Sequence, residues 1–169
     1  MSYIVMDDNY EGRGDYARKI NAGYDAVEAE WYFLGADDIR FHPYWFEVAM
    51  EVHKQTEACV IGTNDLGNPQ VLQGQHATHS LVLLDYVEEC GTIDEPGKVL
   101  HEGYSHNFVD TEFVATAKWR DAWAFAVNSR VEHLHPDWRK GQNDQVYALG
   151  KSGFANDQKY FEMRKRLWK

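Results

Sequence analysis

Trp31-Tyr32-Phe33-Leu34 sets three aromatic side chains and a leucine in consecutive positions, then stops at Gly35-Ala36 before two adjacent carboxylates, Asp37 and Asp38. An unbroken apolar run of this length predicts a strand covered on both faces, the pattern found inside a mainly parallel sheet. In open α/β sheets, ligands collect outside the carboxyl ends of the strands, and the turn delivers Asp37 and Asp38 there. Two neighbouring acids repel each other, so a site that keeps both ionised calls for a cation. Hard oxygen ligands suit Mg²⁺ or Mn²⁺, ions that commonly take a substrate phosphate as a further ligand. The competing reading is local: Asp-Asp opens a turn and caps the helix starting near Pro43.

Composition narrows the function classes. A chain of 169 residues with 44% hydrophobic and 14% aromatic content is a globular domain with a real core. Its formal net charge of −10 argues against binding nucleic-acid backbone or anionic membrane. A phosphorylated small molecule is still admissible, because a metal and a few cations reverse the sign locally. Cys59 and Cys90 show neither metal-ligand spacing nor a disulfide framework, so reduced thiols and a cytoplasmic location are expected. No apolar run approaches the roughly 20 residues of a membrane-spanning helix, and no signal-peptide pattern opens the sequence.

Periodicity gives the order of elements. A first strand is expected at Tyr3–Met6. A helix follows from Asp15 to about Ala29, with Ala17, Ile20, Tyr24 and Val27 as its stripe. After the aromatic strand comes a helix from about Pro43 to His53 that buries Trp45, Val48, Ala49 and Val52. Ala58–Ile61 is a further strand ending in Gly62-Thr63-Asn64-Asp65. This rapid alternation predicts crossover units and a doubly wound sheet. Gly67–His79 is polar and glycine-bearing, Leu81–Leu84 is apolar, Tyr86–Glu89 is a short helix and Cys90–Gly97 is a turn region. Asp110 caps a helix carrying Val114, Ala117 and Lys118. A last strand spans Ala124–Val127 and Ser129–Val131, and a helix runs from about Gln145 to Lys169.

These pieces, in this order, resemble the nucleotide-diphospho-sugar glycosyltransferases of the GT-A fold, family-2-like, over roughly Arg13–His135. The matching stretches are Asn21-Ala22-Gly23, Phe33-Leu34-Gly35-Ala36-Asp37-Asp38, Gly91-Thr92-Ile93-Asp94, Val109-Asp110-Thr111-Glu112 and Arg130-Val131-Glu132-His133. With Gly-Thr-Asn-Asp-Leu, His-Ala-Thr-His and His-Leu-His-Pro, the chain is similar to glycosyltransferases carried by bacteriophages, which would place it in the host cytoplasm. Ala36 stands where the family's spaced Asp-x-Asp has its first acid, and the family usually begins with further strand-helix units. The resemblance implies a GT-A-like, Rossmann-like α/β fold, a mixed but mainly parallel sheet flanked by helices, abbreviated at its N-terminus. It would form one domain, with a donor and metal half at 1–66, an acceptor and catalytic half at 67–140 and a helical tail at 141–169.

The implied activity is metal-dependent, hexosyltransferase-type transfer of a sugar from a nucleotide-diphosphate sugar to an acceptor hydroxyl that the sequence does not identify. Mn²⁺ or Mg²⁺ held by Asp37, Asp38 and His133, with His135 two residues on, would stabilise the departing diphosphate. Asp110 is the candidate general base and Glu112 the runner-up, and a single base facing the leaving group implies inversion. Arg13, Lys19, Asn21 and Ala36 fall on the donor side, although long cations are more often solvated surface charges. Tyr104, His106 and Trp138 are the acceptor-side candidates. A sheet edge left open by missing strands invites a partner chain or self-association. Two other classes compete: a non-catalytic or split remnant of the fold, sugar-binding or virion-associated, and a histidine-rich metallohydrolase built from His76, His79, His101 and His106. Against the latter, no His-Glu-x-x-His pattern occurs.

Overall fold

The computed structural model describes residues 15–143 and 145–169, so the expected strand at Tyr3–Met6 and Arg13 lie outside the described residues. Helix α1 (Asp15–Ala26) leads into β1 (Trp31–Phe33), β2 (Ile39–Phe41), α2 (Trp45–Thr56) and β3 (Val60–Asn64). Next come a one-turn helix α3 (Pro69–Leu72), β4 (Ser80–Leu83) and α4 (Leu84–Glu89). Helix α5 (Val109–Trp119), the long β5 (Trp123–His133) and α6 (Gln145–Arg164) complete the fold.

The strands form one sheet in the order β1-β4-β3-β5-β2, curled into a half-barrel. Only β3 and β5 pair in parallel; β1 with β4, β4 with β3 and β2 with β5 are all antiparallel. This corrects the expected doubly wound, mainly parallel sheet: the fold is α/β, but its sheet is mixed and mostly antiparallel. The physical reason lies between β3 and β4. A parallel crossover needs a connection of about a dozen residues or more, usually through a substantial helix. The connection 65–79 is long enough, but its one helix, α3, has only four residues, and the chain turns back beside β3. β4 thereby inserts between β1 and β3.

The aromatic run is covered on both faces, as its composition demands, but at an edge of the sheet. Tyr32 packs into the cluster of Ile20, Val60, Val82 and Val114, while Trp31 and Phe33 join Trp45, Ala49, Ile61 and Leu81 on the opposite face. Along β3 the same alternation sends Val60 to the first cluster and Ile61 to the second. α2 supplies the second face through Trp45 and Ala49, two of the four residues its periodicity selected for burial, with Val52 packed alongside.

Three anchors hold α6 to the body of the fold. Tyr147 reaches Asp38 from its first turns. Asp157 accepts hydrogen bonds from the backbone N–H groups of Ser105, His106 and Asn107 at 2.8–3.0 Å. Arg164 donates from Nε and Nη2 to Glu112 at 2.7 and 2.8 Å and from Nη1 and Nη2 to Asp94 at 3.0 and 2.7 Å. Glu112 and Arg164 are both buried, and Tyr104 donates its hydroxyl to the same carboxylate. No described helix is long and apolar enough to cross a membrane.

Two stability experiments follow from these anchors. Arg164→Ala strands the Glu112 carboxylate in the core and is expected to cost about 3–5 kcal/mol, the usual loss when one partner of a buried pair is removed. A change below about 1 kcal/mol in urea unfolding would show that the pair is not buried in solution. Burial pushes the Asp157 carboxyl up, but its three backbone donors outweigh that and hold it below the usual carboxylate range. Its stabilisation is therefore present at neutral pH and is lost as pH falls below about 4. Asp157→Asn is expected to be less stable than wild type at pH 7, with the gap closing on acidification. Parallel pH-stability curves would contradict this assignment.

Candidate functional site

β1, β3 and β5 run in one direction and β4 and β2 run against them. The carboxyl ends of three strands and the starts of two therefore meet at one edge of the sheet. Asp37-Asp38 follows β1, Asp65 follows β3, His133 ends β5 and His79 precedes β4. The sequence expectation that the acids sit beyond a strand's carboxyl end thus holds in a sheet of different topology.

A bulge brings Asp38 and His133 together. Between Thr63 and Asn64 the parallel register jumps from Ala126 to Arg130, which bends β5 and frees its last residues to pair with β2. Ile39 lies opposite His133, and the Leu134 N–H donates to the Asp38 carbonyl at 2.8 Å. Side chains 95 residues apart then meet, with His133 Nε2 3.1 Å from Asp38 Oδ2. Tyr147 donates its hydroxyl to the same oxygen. Burial pushes the Asp38 carboxyl up, but the hydrogen bonds from His133 and Tyr147, with the His133 and His79 rings nearby, hold it well below the usual range.

His79 sits against this pair, its ring 4.9 Å from that of His133. Its Nδ1 lies 3.1 Å from the Leu34 carbonyl, which can only accept, so the proton is on Nδ1 and Nε2 is a bare lone pair. That Nε2 is buried with no hydrogen-bond partner in the structure. Burial, with His133 beside it, depresses the His79 imidazole to about 4 and keeps it neutral. Separately, His76 Nε2 lies 3.1 Å from Asp110 Oδ2. The charges of Asp38 and Asp110 both act on His79 and on half-buried Tyr16, so the two acid-imidazole pairs share one electrostatic neighbourhood.

The remaining expected residues divide clearly. Trp138 lies in this region: its indole covers Gly67, where an added Cβ would stand 2.5 Å from the ring, and it is 5.7 Å from the His135 ring. His135 sits 5.0 Å from the His133 ring, but its Nδ1 accepts from the Asp137 N–H. Asp37 is exposed and Ala36 half-buried in the turn between β1 and β2. Lys19 pairs with Asp15 along α1 at 3.0 Å. Asn21 is buried and uses its whole amide on the segment 99–102: Oδ1 accepts from the Val99 and Leu100 N–H groups, and Nδ2 donates to the Leu100 carbonyl and to Glu102. Glu112 and Tyr104 belong to the Arg164 network, and exposed His106 lies over Gly150 of α6. His101 bonds Tyr160, so the four histidines 76, 79, 101 and 106 do not converge on one centre.

The donor chemistry at the sheet edge suits a divalent ion. Asp38 offers a carboxylate and His133 an imidazole, facing each other, which is a set that Mn²⁺ accepts. Among the described residues no group of three His, Cys, Asp or Glu side chains is already arranged to hold an ion. An ion here would therefore draw the rest of its shell from substrate oxygens and water.

The chain matches no protein-family model, no curated protein and no solved structure. The site therefore stands on its own geometry.

Sequence reasoning passed over several residues that build it. His79 and His76 were visible in His-Ala-Thr-His, but their partners were not. Asp65 is fully buried and organises the turn after β3, accepting from the Gly67 and Asn68 N–H groups and from the Thr78 hydroxyl. Tyr147 gives no signal at all, because only the folded position of α6 brings it to Asp38. Asp110 is not the helix cap: Phe108, at φ 66°, holds that position, and Asp110 Oδ1 accepts from the Thr111 N–H instead.

The site rests on close backbone approach at Gly62, where an added Cβ would lie 2.6 Å from the Ala77 methyl and 3.2 Å from the Trp123 ring. Gly62→Ala is expected to cost about 1–3 kcal/mol by overpacking and to disturb the 76–79 segment. Urea unfolding and the ¹⁵N shifts of His76 and His79 read both effects. A stable variant with unmoved shifts would contradict the tight packing.

Proposed function

We propose that this protein transfers a sugar from a nucleotide-diphosphate sugar to an acceptor hydroxyl, using a divalent ion and one carboxylate base, with inversion at the anomeric carbon. The observation that carries the reading is the meeting of Asp38 and His133 beside a second acid, Asp110, that shares their neighbours His79 and Tyr16. The motif resemblance of the acidic turn, the Val-Asp-Thr-Glu helix start and the histidine-ended strand supports it independently of the sheet's topology.

Asp38 and His133 would hold Mn²⁺ or Mg²⁺, which when bound supplies Lewis-acid stabilisation of the diphosphate leaving group. Asp110 Oδ2 would accept the proton of the attacking hydroxyl, becoming a carboxylic acid as the new glycosidic bond forms and the bond to the diphosphate breaks. The Trp138 indole, packed against Gly67 near His135, offers an aromatic surface for a sugar or a base. Exposed Asp37 adds negative charge that favours a cation at the same turn.

Incubation with a panel of nucleotide sugars and Mn²⁺ should release the nucleoside diphosphate. Asp38→Asn should weaken Mn²⁺ binding, read by electron paramagnetic resonance, at least about tenfold and lower release with it. Asp110→Asn should leave Mn²⁺ binding in place and cut release by about 10²–10⁴, the usual contribution of a general base. No release from any donor, or full turnover by the Asp110 variant, would overturn the reading.

A further inference from the structure

Asp110 does not stand alone. His76 comes from the segment after α3, is buried to 6% exposure and spends Nε2 on Asp110 Oδ2. The carboxylate can only accept, so Nε2 carries the proton. Oδ1 is fixed separately by the Thr111 N–H at 2.8 Å, with the Thr111 hydroxyl at 3.4 Å. Both oxygens of Asp110 are thus tethered from different elements. The imidazole is the buried member of the pair, with a side chain 8% exposed against 28% for Asp110. Asp110 is thus the member of the pair more accessible to a substrate.

We propose that His76 is a positioning residue for the base of the transfer reaction, aiming the Asp110 carboxylate through an Nε2–H bond within a charged pair. This inference rests on the sugar-transfer reading for the chemistry, but the pair itself does not. Four groups act on it. Burial disfavours the imidazolium, but the Asp110 carboxylate, with Asp65 beyond it, outweighs that and the opposing Lys118, so His76 is raised above its ordinary value. Asp110 in turn is held below the usual carboxylate range: burial pushes it up, but His76, the Thr111 N–H and the more distant His79 prevail.

One consequence separates orientation from mere packing. While His76 is protonated, Asp110 is a weak base; when His76 loses its proton above pH 6.5, the carboxylate's proton affinity rises. Activity should therefore gain a second inflection, at the pH where His76 titrates. His76→Gln keeps an N–H donor near the Nε2 position but cannot titrate, so it should retain turnover within about tenfold and lose that inflection. His76→Ala removes the tether and should lose more than about tenfold in kcat with KM for the donor little changed.

The experiment that decides is a ¹H–¹⁵N titration of the histidine rings in wild type and Asp110→Asn, using the full chain, alongside kcat/KM against pH for wild type and the two His76 variants. The expected result is a His76 midpoint above 6.5 in wild type that falls in Asp110→Asn, with the second inflection present in wild type and absent in His76→Gln. An unmoved midpoint overturns the pair. A His76→Ala enzyme with wild-type kcat, or an inflection that survives in His76→Gln, overturns the positioning role. If wild type turns over no donor at all, the transfer reading and the role built on it both fall, and the titration still reports whether the pair exists.

Discussion

Strand β3 is bonded on both sides, to β4 running against it and to β5 running with it, and the geometry of the site follows from that mixed placement. All five of its residues are buried, so it cannot slip: a one-residue shift would exchange Val60 and Ile61 between the two core faces. With β3 fixed, the start of β4 and the end of β5 fall at the same edge. Histidines from both strands then come within ring contact of one another. Gly62 contributes by omission, since any side chain there would push Ala77 and the Trp123 ring apart.

Much of this was legible in the sequence, and the part that was not has a definite cause. The main helices, the two-faced burial of the aromatic run, the cluster of turn residues at 90–97 and the placement of Asp38 beyond a strand end follow from hydrophobic periodicity and turn chemistry, whereas the three-residue β2 was not expected. Strand direction does not. The rule that alternating strands and helices build parallel sheets presumes a helix in every connection. The segment 67–79 breaks it, because Pro69–Leu72 is too short to cross over. A polar, glycine-bearing connection without helical periodicity was the clue to a reversal. Pairing partners across 95 residues, such as Asp38 with His133, depend on a bulge at residues 127–129 that no local pattern announces. Asn21 shows the converse: its place in a recognisable motif pointed to a ligand, while its amide is filled by the backbone of residues 99 and 100 and the side chain of Glu102.

All three stretches of the chain send side chains to this edge of the sheet. Residues 15–66 provide Asp38, residues 67–140 provide His76, His79, Asp110 and His133, and α6 provides Tyr147. Such a site forms only when the whole chain has folded. The expected helical tail is therefore part of the centre, anchored at Asp38, at the 105–107 loop and at Glu112.

The buried or half-buried acids sort by the kind of donor that faces them, and that sorting decides which can take part in proton chemistry. Glu112 faces a guanidinium, Asp157 three backbone N–H groups, and Asp65 two backbone N–H groups and a hydroxyl. None of those donors titrates near neutral pH. Asp38 and Asp110 each face an imidazole, as does half-buried Glu132, which also pairs with Lys140. Imidazole is the donor whose proton comes and goes between about pH 5 and 8, and whose nitrogen can trade a hydrogen bond for a metal. Asp38 and Asp110 also share an electrostatic neighbour, the neutral ring of His79. The arginine network, by contrast, lies where α5 meets α6 and ties the two helices together.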